Sequence, residues 1–211
     1  MKNVIRIILM TMAFVVTISF FTACGDEKIS SDISNNQKYK TFTDPRDGQK
    51  YKIVKIKNQV WMAENLNYNA ENSECYYKNN CVGYGRYYRP DSKELVCPEG
   101  WRLPTRDDFE ELFDAVGGYG YAGRALKSSN GWFNNGNGTD AFGFNAQPLP
   151  ELNVNYRYNG GGIEEAFNAI FWCVGNCFMF LDYRYRSAHF EWLGTGLSKP
   201  SIRCIQNRES H

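Results

Sequence analysis

The sequence predicts an α+β fold in which one or two helices pack on a mainly antiparallel sheet, with long loops stapled by disulfides. Three observations support this prediction. One segment has helical periodicity, short β-forming segments alternate with Gly- and Asn-rich turns, and an even set of cysteines follows residue 24. Sequence repeats and long low-complexity segments, which would indicate another architecture, are absent.

The clearest predicted element is a helix from Arg106 to Val116. Thr105 is a good N-cap, and Asp108 stands at the third helical position, where it completes a capping box. Apolar residues at positions 109, 112, 113 and 116 follow the i, i+3, i+4, i+7 spacing, which makes one helix face apolar. Gly117-Gly118 ends this helix, and a shorter helix is predicted from Ala122 to Lys127.

The sheet is predicted from short segments on both sides of these helices. A hairpin is expected in which Tyr51–Ile56 and Val60–Ala63 pair across a turn at residues 57–59. The other predicted strands are Leu152–Tyr158, Ala169–Cys173, Cys177–Tyr185 and Ser201–Ile205. Residues 67–96 and 130–145 are predicted to be loop-rich or irregular, because Gly and Asn interrupt any periodic pattern there.

The first residues predict export and lipid anchoring. Lys2 and Arg6 precede or begin an apolar stretch, and the run Phe21-Thr22-Ala23-Cys24 is typical of a bacterial lipoprotein signal in which Cys24 becomes the acylated first residue. Lipoprotein signals usually carry Leu three places before the cysteine, so an ordinary signal peptide is the alternative. A transmembrane anchor is disfavoured, because the apolar run from 7 to 21 is shorter than the roughly 20 residues a span needs.

The expected organisation is a signal peptide at 1–23, a lipidated tether at 24–40, one domain at 41–206 and a tail at 207–211. Residues 25–40 are polar and lack periodicity, which is typical of a linker. The expected location is the outer membrane, at the cell surface. The chain that remains after the signal is long enough for one domain with a substantial core.

The charge balance limits the class of partner. Removing Lys2 and Arg6 with the signal leaves 24 − 2 = 22 basic side chains against 23 acidic ones. A nearly neutral domain has no electrostatic attraction for nucleic acid, so a nucleic-acid partner is not expected. With two histidines in the whole chain, one of them the terminal His211, a histidine-rich metal site is not expected either.

The cysteines predict a disulfide framework. Setting aside Cys24 leaves six of the seven, an even number in a protein expected in an oxidising compartment. Six cysteines allow 15 connectivities, of which we predict the pairs Cys75–Cys81, Cys173–Cys177 and Cys97–Cys204. The last pair closes a loop of more than 100 residues, worth about 4–5 kcal/mol in the chain-entropy model. A zinc site is the alternative, but no Cys-x-x-Cys pair supports it.

Several runs in fixed order carry a family resemblance. They are Thr41-Phe42-Thr43-Asp44, Arg46-Asp47-Gly48, Trp61-Met62-Ala63-Glu64-Asn65-Leu66-Asn67-Tyr68, Cys97-Pro98-Glu99-Gly100-Trp101-Arg102-Leu103-Pro104, Gly136-Asn137-Gly138-Thr139-Asp140 with Phe142-Gly143-Phe144, and Ser201-Ile202-Arg203-Cys204. On these runs residues 41–206 resemble the Fibrobacter succinogenes major paralogous domain family. The resemblance implies an exported, often lipidated protein whose biochemical function is unknown.

The run Trp101-Arg102-Leu103-Pro104-Thr105, followed by an acidic helix, also resembles the C-type-lectin-like fold. The resemblance is to the form shared by formylglycine-generating enzymes and some hypervariable bacterial binding proteins. It implies a domain whose two ends meet, in agreement with the predicted Cys97–Cys204 pair.

The second half of the domain contains residues suited to carbohydrate binding, since sugars are held by aromatic faces and planar hydrogen-bonding groups. The candidate ligand-binding residues are Trp132, Asn153, Tyr156, Tyr158, Tyr183, Tyr185, Arg186 and Trp192. Trp172, inside a continuous apolar run, is expected in the core instead. In the run from 181 to 186, alternation would place Tyr183 and Tyr185 on one face and the charged residues on the other, namely Asp182, Arg184 and Arg186.

Two other chemistries stay open. Asn135, Asn137 and Asp140 offer oxygens at near-alternating positions for calcium, although the usual lectin calcium motifs are absent; no other cofactor is expected. Cys173 and Cys177 precede a Tyr-Arg-Tyr-Arg run, as do the copper-binding cysteines of formylglycine-generating enzymes. The spacing differs, and an oxidising compartment favours a structural disulfide over free thiols.

These observations predict a lipid-anchored envelope protein with a non-catalytic domain, and polysaccharide binding is its favoured function. The alternative is a protein-binding adhesin or envelope scaffold. A copper-dependent oxidase is a more distant alternative.

Overall fold

The structure of the chain, a computed structural model, describes residues 38–75, 81–89, 96–150, 166–175, 177–192 and 200–208. Within these ranges, no helix is long and apolar enough to cross a lipid bilayer. The signal, most of the tether and the strand predicted at Leu152–Tyr158 lie outside the described residues.

Eleven strands and two α-helices are described. The strands are β1 (Lys40–Thr43), β2 (Lys50–Ile56), β3 (Gln59–Met62), β4 (Ser73–Cys75), β5 (Arg86–Tyr88), β6 (Trp101–Arg102), β7 (Leu149–Pro150), β8 (Ala166–Cys173), β9 (Cys177–Asp182), β10 (Ala188–Trp192) and β11 (Ile205–Gln206). The helices are α1 (Arg106–Ala115) and α2 (Tyr119–Leu126), followed by a short 3-10 helix at Phe133–Asn135. This confirms the α+β prediction; the C-type-lectin-like assignment stays a prediction.

A five-stranded sheet has the order β1-β2-β3-β11-β6, and its pairings are antiparallel. The predicted hairpin is its centre: Ile56 pairs with Gln59 across the two-residue turn Lys57-Asn58. Lys57 adopts a positive φ of 54°, as tight hairpin turns that follow the strand twist require. The late strand β11 lies between β3 and β6, so the two ends of the domain share one sheet.

A four-stranded antiparallel sheet has the order β10-β9-β8-β7, and β4 and β5 form a separate pair. The central hairpin of the four-stranded sheet turns between Cys173 and Cys177, which face each other across the β8–β9 pair. The strand predicted at 177–185 ends at Asp182, because the Asp182 carboxylate accepts the backbone N–H of Arg184 at 2.7 Å and turns the chain. The predicted alternation of Tyr183 and Tyr185 with their charged neighbours is therefore wrong.

Two large apolar clusters form most of the core in the described part of the chain. The larger packs Trp61 of β3, Phe109 of α1 and Leu126 of α2 against Phe171 and Met179 of the second sheet. The smaller cluster includes Tyr51, Met62, Trp101, Trp172 and Phe178. The prediction that Trp172 lies in the core is confirmed; its indole N–H donates to the carbonyl of Tyr88 at 2.9 Å. Helices and both sheets thus share one interior.

The helix signals in the sequence are confirmed at α1. Thr105 Oγ1 accepts the N–H of Asp108, and the Asp108 carboxylate accepts the N–H of Thr105, which together form the predicted capping box. Helix α2 begins three residues earlier than predicted, at Tyr119 rather than Ala122. Gly117 and Gly118 both adopt positive φ in the three-residue connection between the helices, a conformation that glycine adopts without steric cost.

All three predicted disulfides are present. Cys75–Cys81, Cys97–Cys204 and Cys173–Cys177 have Cα–Cα distances of 4.8, 5.9 and 5.5 Å. The first and last close loops of six and four residues in sequence separation, whereas Cys97–Cys204 spans 107. This long-range bond joins the segment before β6 to the segment before β11.

Replacing Cys97 and Cys204 together by Ala is expected to lower the free energy of unfolding by about 5 kcal/mol, because the loop they close is long. The matched control replaces Cys75 and Cys81 by Ala, for which the same relation gives about 2 kcal/mol. Chemical denaturation measures both. Equal losses would contradict loop-closure entropy as the source of the difference.

Candidate functional site

The structure corrects one candidate ligand-binding residue. The Trp132 side chain is only 4% exposed and belongs to the larger apolar cluster. Its indole N–H donates to Ser128 Oγ at 3.0 Å, and the Lys127 ammonium lies 4.9 Å from the ring centroid. Its ring therefore has no free face for stacking on a sugar, and the prediction for Trp132 is wrong.

The other candidates fall into two groups. Tyr183 is half-buried, with its ring 5.3 Å from Phe133 and 5.5 Å from Phe167, whereas Tyr185 and Arg186 are exposed on the β9–β10 turn. The backbone of Trp192 belongs to β10. The candidates that lie outside the described residues are Asn153, Tyr156, Tyr158 and the side chain of Trp192.

Two of the three residues predicted as calcium ligands have partners within the protein for their side-chain oxygens. Asn137 Oδ1 accepts the backbone N–H of Trp132 at 3.1 Å. One carboxylate oxygen of Asp140 accepts the N–H of Asn145, and the other accepts from Lys38 and Tyr39. Asn135 is an exposed residue with a positive φ. Among the described residues, no group of three His, Cys, Asp or Glu side chains is placed to hold a metal ion.

A half-open cavity of about 430 Å³ among the described residues is the candidate site considered next. It lies where the segment after β3, the segment before β5 and the segment before β7 meet. The lining residues are Ala63, Glu64, Asn65, Val82, Gly83, Tyr84, Asn145, Gln147 and Arg203. Several of them belong to the runs that carry the family resemblance, which are far apart in sequence and converge here.

Polar groups at the cavity are arranged on a fixed wall. Gln147 Nε2 donates to Asn145 Oδ1 at 2.8 Å, which orients both amides. The Glu64 carboxylate accepts the backbone N–H of Lys52 at 2.7 Å and is half-exposed. Tyr84 is 38% exposed. These are one carboxylate, two amides and one phenol ring, the functional groups of a site that binds a polar ligand by hydrogen bonds and stacking.

Arg203 supports the cavity from inside the protein. Its side chain is buried, and its ring neighbours Phe144 and Phe171 lie 4.6 and 5.1 Å from the guanidinium. The guanidinium donates to Asn65 Oδ1 at 2.9 Å, to the Asn145 carbonyl at 2.9 Å and to the Phe144 carbonyl. Burial lowers the pKa of Arg203 to about 9, so it remains charged at neutral pH. Two cavity walls are thereby joined through one cation.

The loop from Asp140 to Asn145 is also held from its outer side. Lys38 Nζ donates to the Asp140 carbonyl at 2.6 Å, and the Tyr39 hydroxyl donates to the Asp140 carboxylate at 3.1 Å. Burial, followed by the nearby Asp140 charge, raises the pKa of Tyr39 to about 12. The neutral phenol therefore keeps its proton for this hydrogen bond across the physiological range.

The exposed residues Tyr185 and Arg186 lie on a turn held by a buried lysine. Lys127 Nζ donates to the carbonyls of Asp182 at 2.9 Å and Tyr185 at 3.1 Å, and lies 3.5 Å from that of Tyr183. Burial lowers the pKa of Lys127 to about 8, so at neutral pH it is mostly protonated and can donate these bonds.

The cysteines that suggested copper chemistry are bonded to each other. Cys173 and Cys177 are both buried in the core and form a disulfide, so neither presents a thiolate. The hypothesis based on their resemblance to copper-binding cysteines gains no support from this arrangement.

The ligand-binding residues predicted from sequence do not include the cavity residues, because they are mainly aromatic residues from the second half of the domain, whereas the cavity aromatic, Tyr84, lies in the first half. Glu64, Asn65 and Arg203 stand inside the motif runs quoted for the family resemblance. The presence of polar residues inside these runs is the sequence feature that could have identified them. The sequence does not reveal that residues 65 and 203 are in contact, which is a property of the folded chain.

Replacing Arg203 by Lys is expected to destabilise the protein by about 3 kcal/mol, because a compact ammonium cannot satisfy three separated acceptors. The matched control is Arg106→Lys on α1, where the arginine is exposed and pairs with Glu110; we expect a loss below about 0.5 kcal/mol. Thermal or denaturant unfolding compares them. Equal effects would contradict the supporting role of Arg203.

Because the pKa of Lys127 is lowered in the folded protein, the difference in stability between the wild type and Lys127→Met is expected to depend on pH. Because its pKa falls from 10.5 to about 8 on folding, the unfolded chain binds this proton more tightly between these values. The wild type should therefore gain stability relative to Lys127→Met as pH rises from 8 to 10.5, by about 3 kcal/mol. Denaturant titrations of both proteins at several pH values measure this difference. The tyrosines titrate in both proteins, so their contribution to the difference cancels. A constant difference would contradict the prediction.

Comparison with known proteins places the chain in one family. The model of the Fibrobacter succinogenes major domain matches residues 54–206, which include most of both sheets, both helices and every residue that lines the cavity. No curated protein and no solved structure matches the chain. On this match, which covers well over half of its length, the chain belongs to the Fibrobacter succinogenes major domain family.

Proposed function

We propose that this protein is an exported, lipid-anchored envelope protein whose domain binds polysaccharide non-catalytically in the cavity lined by Glu64, Tyr84, Asn145 and Gln147. The observation that carries the proposal is the combination of amide, carboxylate and phenol groups on a preorganised wall. Sugars present hydroxyl groups that both donate and accept, and paired amides and carboxylates match that pattern. The exposed Tyr84 ring offers a surface for the C–H face of a sugar.

The size of the cavity agrees with a small portion of a polymer. A volume of about 430 Å³ falls in the range of small-ligand sites, so one or two sugar units of a longer chain would occupy it. The cavity is half-open, which leaves a path for the rest of the chain to continue into solvent. No catalytic role is proposed for Glu64, whose carboxylate also accepts the Lys52 backbone N–H.

The exported part of the proposal is supported by the sequence and by the disulfides. The run ending at Cys24 is typical of a lipoprotein signal. Three disulfides, two of them between residues close in sequence, are typical of proteins in an oxidising compartment. We propose lipid attachment at Cys24 and a location at the outer membrane, facing the cell exterior.

A protein ligand for the same cavity is the second candidate. The observation that favours it is Val82, which lies at the cavity and is 80% exposed. An apolar side chain beside a tyrosine at a rim is also typical of protein-binding surfaces. In this case the domain would act as an adhesin or an envelope scaffold.

The test is retention of the purified protein, with its disulfides formed, on a panel of soluble polysaccharides by affinity electrophoresis. We expect selective retention by a neutral polysaccharide, weakened about tenfold or more in Gln147→Ala and Tyr84→Ala, since each removes a contact worth on the order of 1.4 kcal/mol. Phe142→Ala is the matched aromatic control, because Phe142 is 37% exposed and does not line the cavity.

Two results would contradict the proposal. Retention that is unchanged in both cavity variants would exclude the cavity as the site. Absence of retention on every polysaccharide, together with capture of one envelope protein that Tyr84→Ala abolishes, would favour the adhesin.

A further inference from the structure

The β9–β10 turn and helix α2 together form a second surface, separate in residues from the cavity. We call it the Tyr-Arg surface and define it by Arg124, Arg184, Tyr185 and Arg186. Arg184, Tyr185 and Arg186 are exposed, and Arg124 is half-exposed. None of these residues lines the cavity.

The turn that carries this surface is fixed from below. Lys127 Nζ donates to the carbonyls of Asp182 and Tyr185, so a buried cation binds both ends of the turn. Gly136 lies against Tyr183 so closely that a Cβ would clash with the Tyr183 carbonyl oxygen. Exposed side chains on a backbone held in this way lose less conformational entropy when a ligand binds than they would on a mobile loop.

Helix α2 brings a second arginine beside the turn. The backbone N–H of Arg124 donates to the Arg186 carbonyl at 2.8 Å. This approach depends on Gly123, where a Cβ would clash with the Ser187 carbonyl oxygen. The backbones of Arg124 and Arg186, 62 positions apart in the chain, are therefore adjacent.

The surface has an excess of positive charge. Arg184 is paired with Asp182, whose two carboxylate oxygens each lie 2.9 Å from a guanidinium nitrogen. In the part of the chain that the structure describes, neither Arg124 nor Arg186 has an acidic group within 4.0 Å. Lys127 beneath the turn and the three arginines of the surface together carry four positive charges, against the one negative charge of Asp182, in a chain whose overall charge is +1.

An aromatic ring lies among these charges. Tyr185 is 49% exposed, and the Arg184 guanidinium carbon lies 5.2 Å from its ring centroid and 5.6 Å from that of Tyr183. The guanidinium is thus positioned near two tyrosine rings, which favours one orientation of the exposed ring. The surface therefore combines an oriented aromatic face with two arginines, Arg124 and Arg186, that form no ion pair within the described part of the chain.

We propose that the Tyr-Arg surface binds an acidic polysaccharide. Arg124 and Arg186 would each hold a carboxylate of a uronic acid unit through paired N–H donors, and the Tyr185 ring would stack on the C–H face of a sugar ring. The proposal adds a charged ligand class to the neutral one proposed for the cavity. It does not depend on the cavity, since the two sets of residues are distinct.

The experiment measures retention of the full, disulfide-bonded chain by polygalacturonate, with dextran as the neutral polymer and dextran sulfate as a second anionic one. We expect retention by polygalacturonate and not by dextran, reduced about tenfold or more in the double variant Arg124→Gln/Arg186→Gln. Retention should fall steeply between about 0.05 and about 0.5 M salt, because exposed charge pairs are screened. Dextran sulfate distinguishes a requirement for carboxylate from a requirement for any anion.

Matched variants show whether retention depends on this surface in particular. Arg106→Gln removes an exposed arginine that already pairs with Glu110, so we expect unchanged retention. Tyr185→Ala should weaken retention without altering its salt dependence, because the ring carries no charge. Thermal unfolding of each variant checks that the fold is intact; both arginine side chains lie at least partly in solvent, so we expect little change in stability.

Several outcomes would overturn the proposal. They are no retention by either acidic polymer, equal retention of the wild type and the double variant, and tighter arginine-dependent binding to vesicles with anionic lipid than to polygalacturonate. Tyr84→Ala and Gln147→Ala separate the two sites: if they leave polygalacturonate retention intact while no neutral polysaccharide binds, the cavity proposal fails and this one stands. If polygalacturonate retention depends only on those two residues, this proposal fails.

Discussion

The buried guanidinium of Arg203 connects parts of the chain that no local interaction could bring together. It stands one residue before Cys204, which is covalently joined to Cys97, and it binds Asn65 after β3 and the carbonyls of Phe144 and Asn145. A charge removed from water is tolerated only when its donors are satisfied, so each acceptor must stay in place. The loop geometry on two sides of the cavity follows from this one requirement. The nearby disulfide restricts the same region in the unfolded chain and so favours its assembly.

Several acidic side chains of the domain are already engaged by partners within the framework. The Asp140 carboxylate accepts hydrogen bonds from Lys38, Tyr39 and the backbone N–H of Asn145. Asp108 caps α1 and pairs with Arg102, and Asp44 pairs with Arg46. Since hydrogen bonds to the charged forms outweigh burial, the pKa values of Asp44 and Asp108 lie below their usual range. The side chains left to contact a ligand at the cavity are then amides, one phenol and the half-exposed carboxylate of Glu64, which also accepts the Lys52 backbone N–H. This division explains why the cavity is suited to a neutral polar ligand, whereas the Tyr-Arg surface is suited to an anionic one.

Long loops in this domain are ordered by a few specific interactions instead of by regular secondary structure. Lys127 holds the β9–β10 turn, Arg203 holds the segment before β7, and two short-range disulfides join Cys75 to Cys81 and Cys173 to Cys177. Each of these interactions fixes the backbone at one position and leaves nearby side chains exposed. Lys127, for example, binds the Tyr185 carbonyl while the Tyr185 side chain stays exposed. Binding proteins commonly place variable contacts on loops held by a rigid scaffold. The two proposed sites therefore lie on loops whose backbone is held by these buried interactions, from Arg203 at the cavity and from Lys127 at the Tyr-Arg surface.

Features that depend on neighbours in sequence were determined by the sequence itself. The capping box at Thr105, the hairpin around Lys57-Asn58 and the Cys173–Cys177 pair depend on residues within a few positions of each other, and all were predictable. The Cys97–Cys204 pair was also predictable, because it is the single pairing that remains once the two local pairs are assigned. Tertiary structure decided the rest. In the sequence Trp132 follows a glycine and stands near asparagines, a setting that suggested an exposed, ligand-binding ring. The folded chain buries this ring beside Ser128 and Lys127. The cavity joins residues as far apart as Glu64 and Arg203, and their proximity depends on side-chain packing and buried hydrogen bonds that no local pattern encodes.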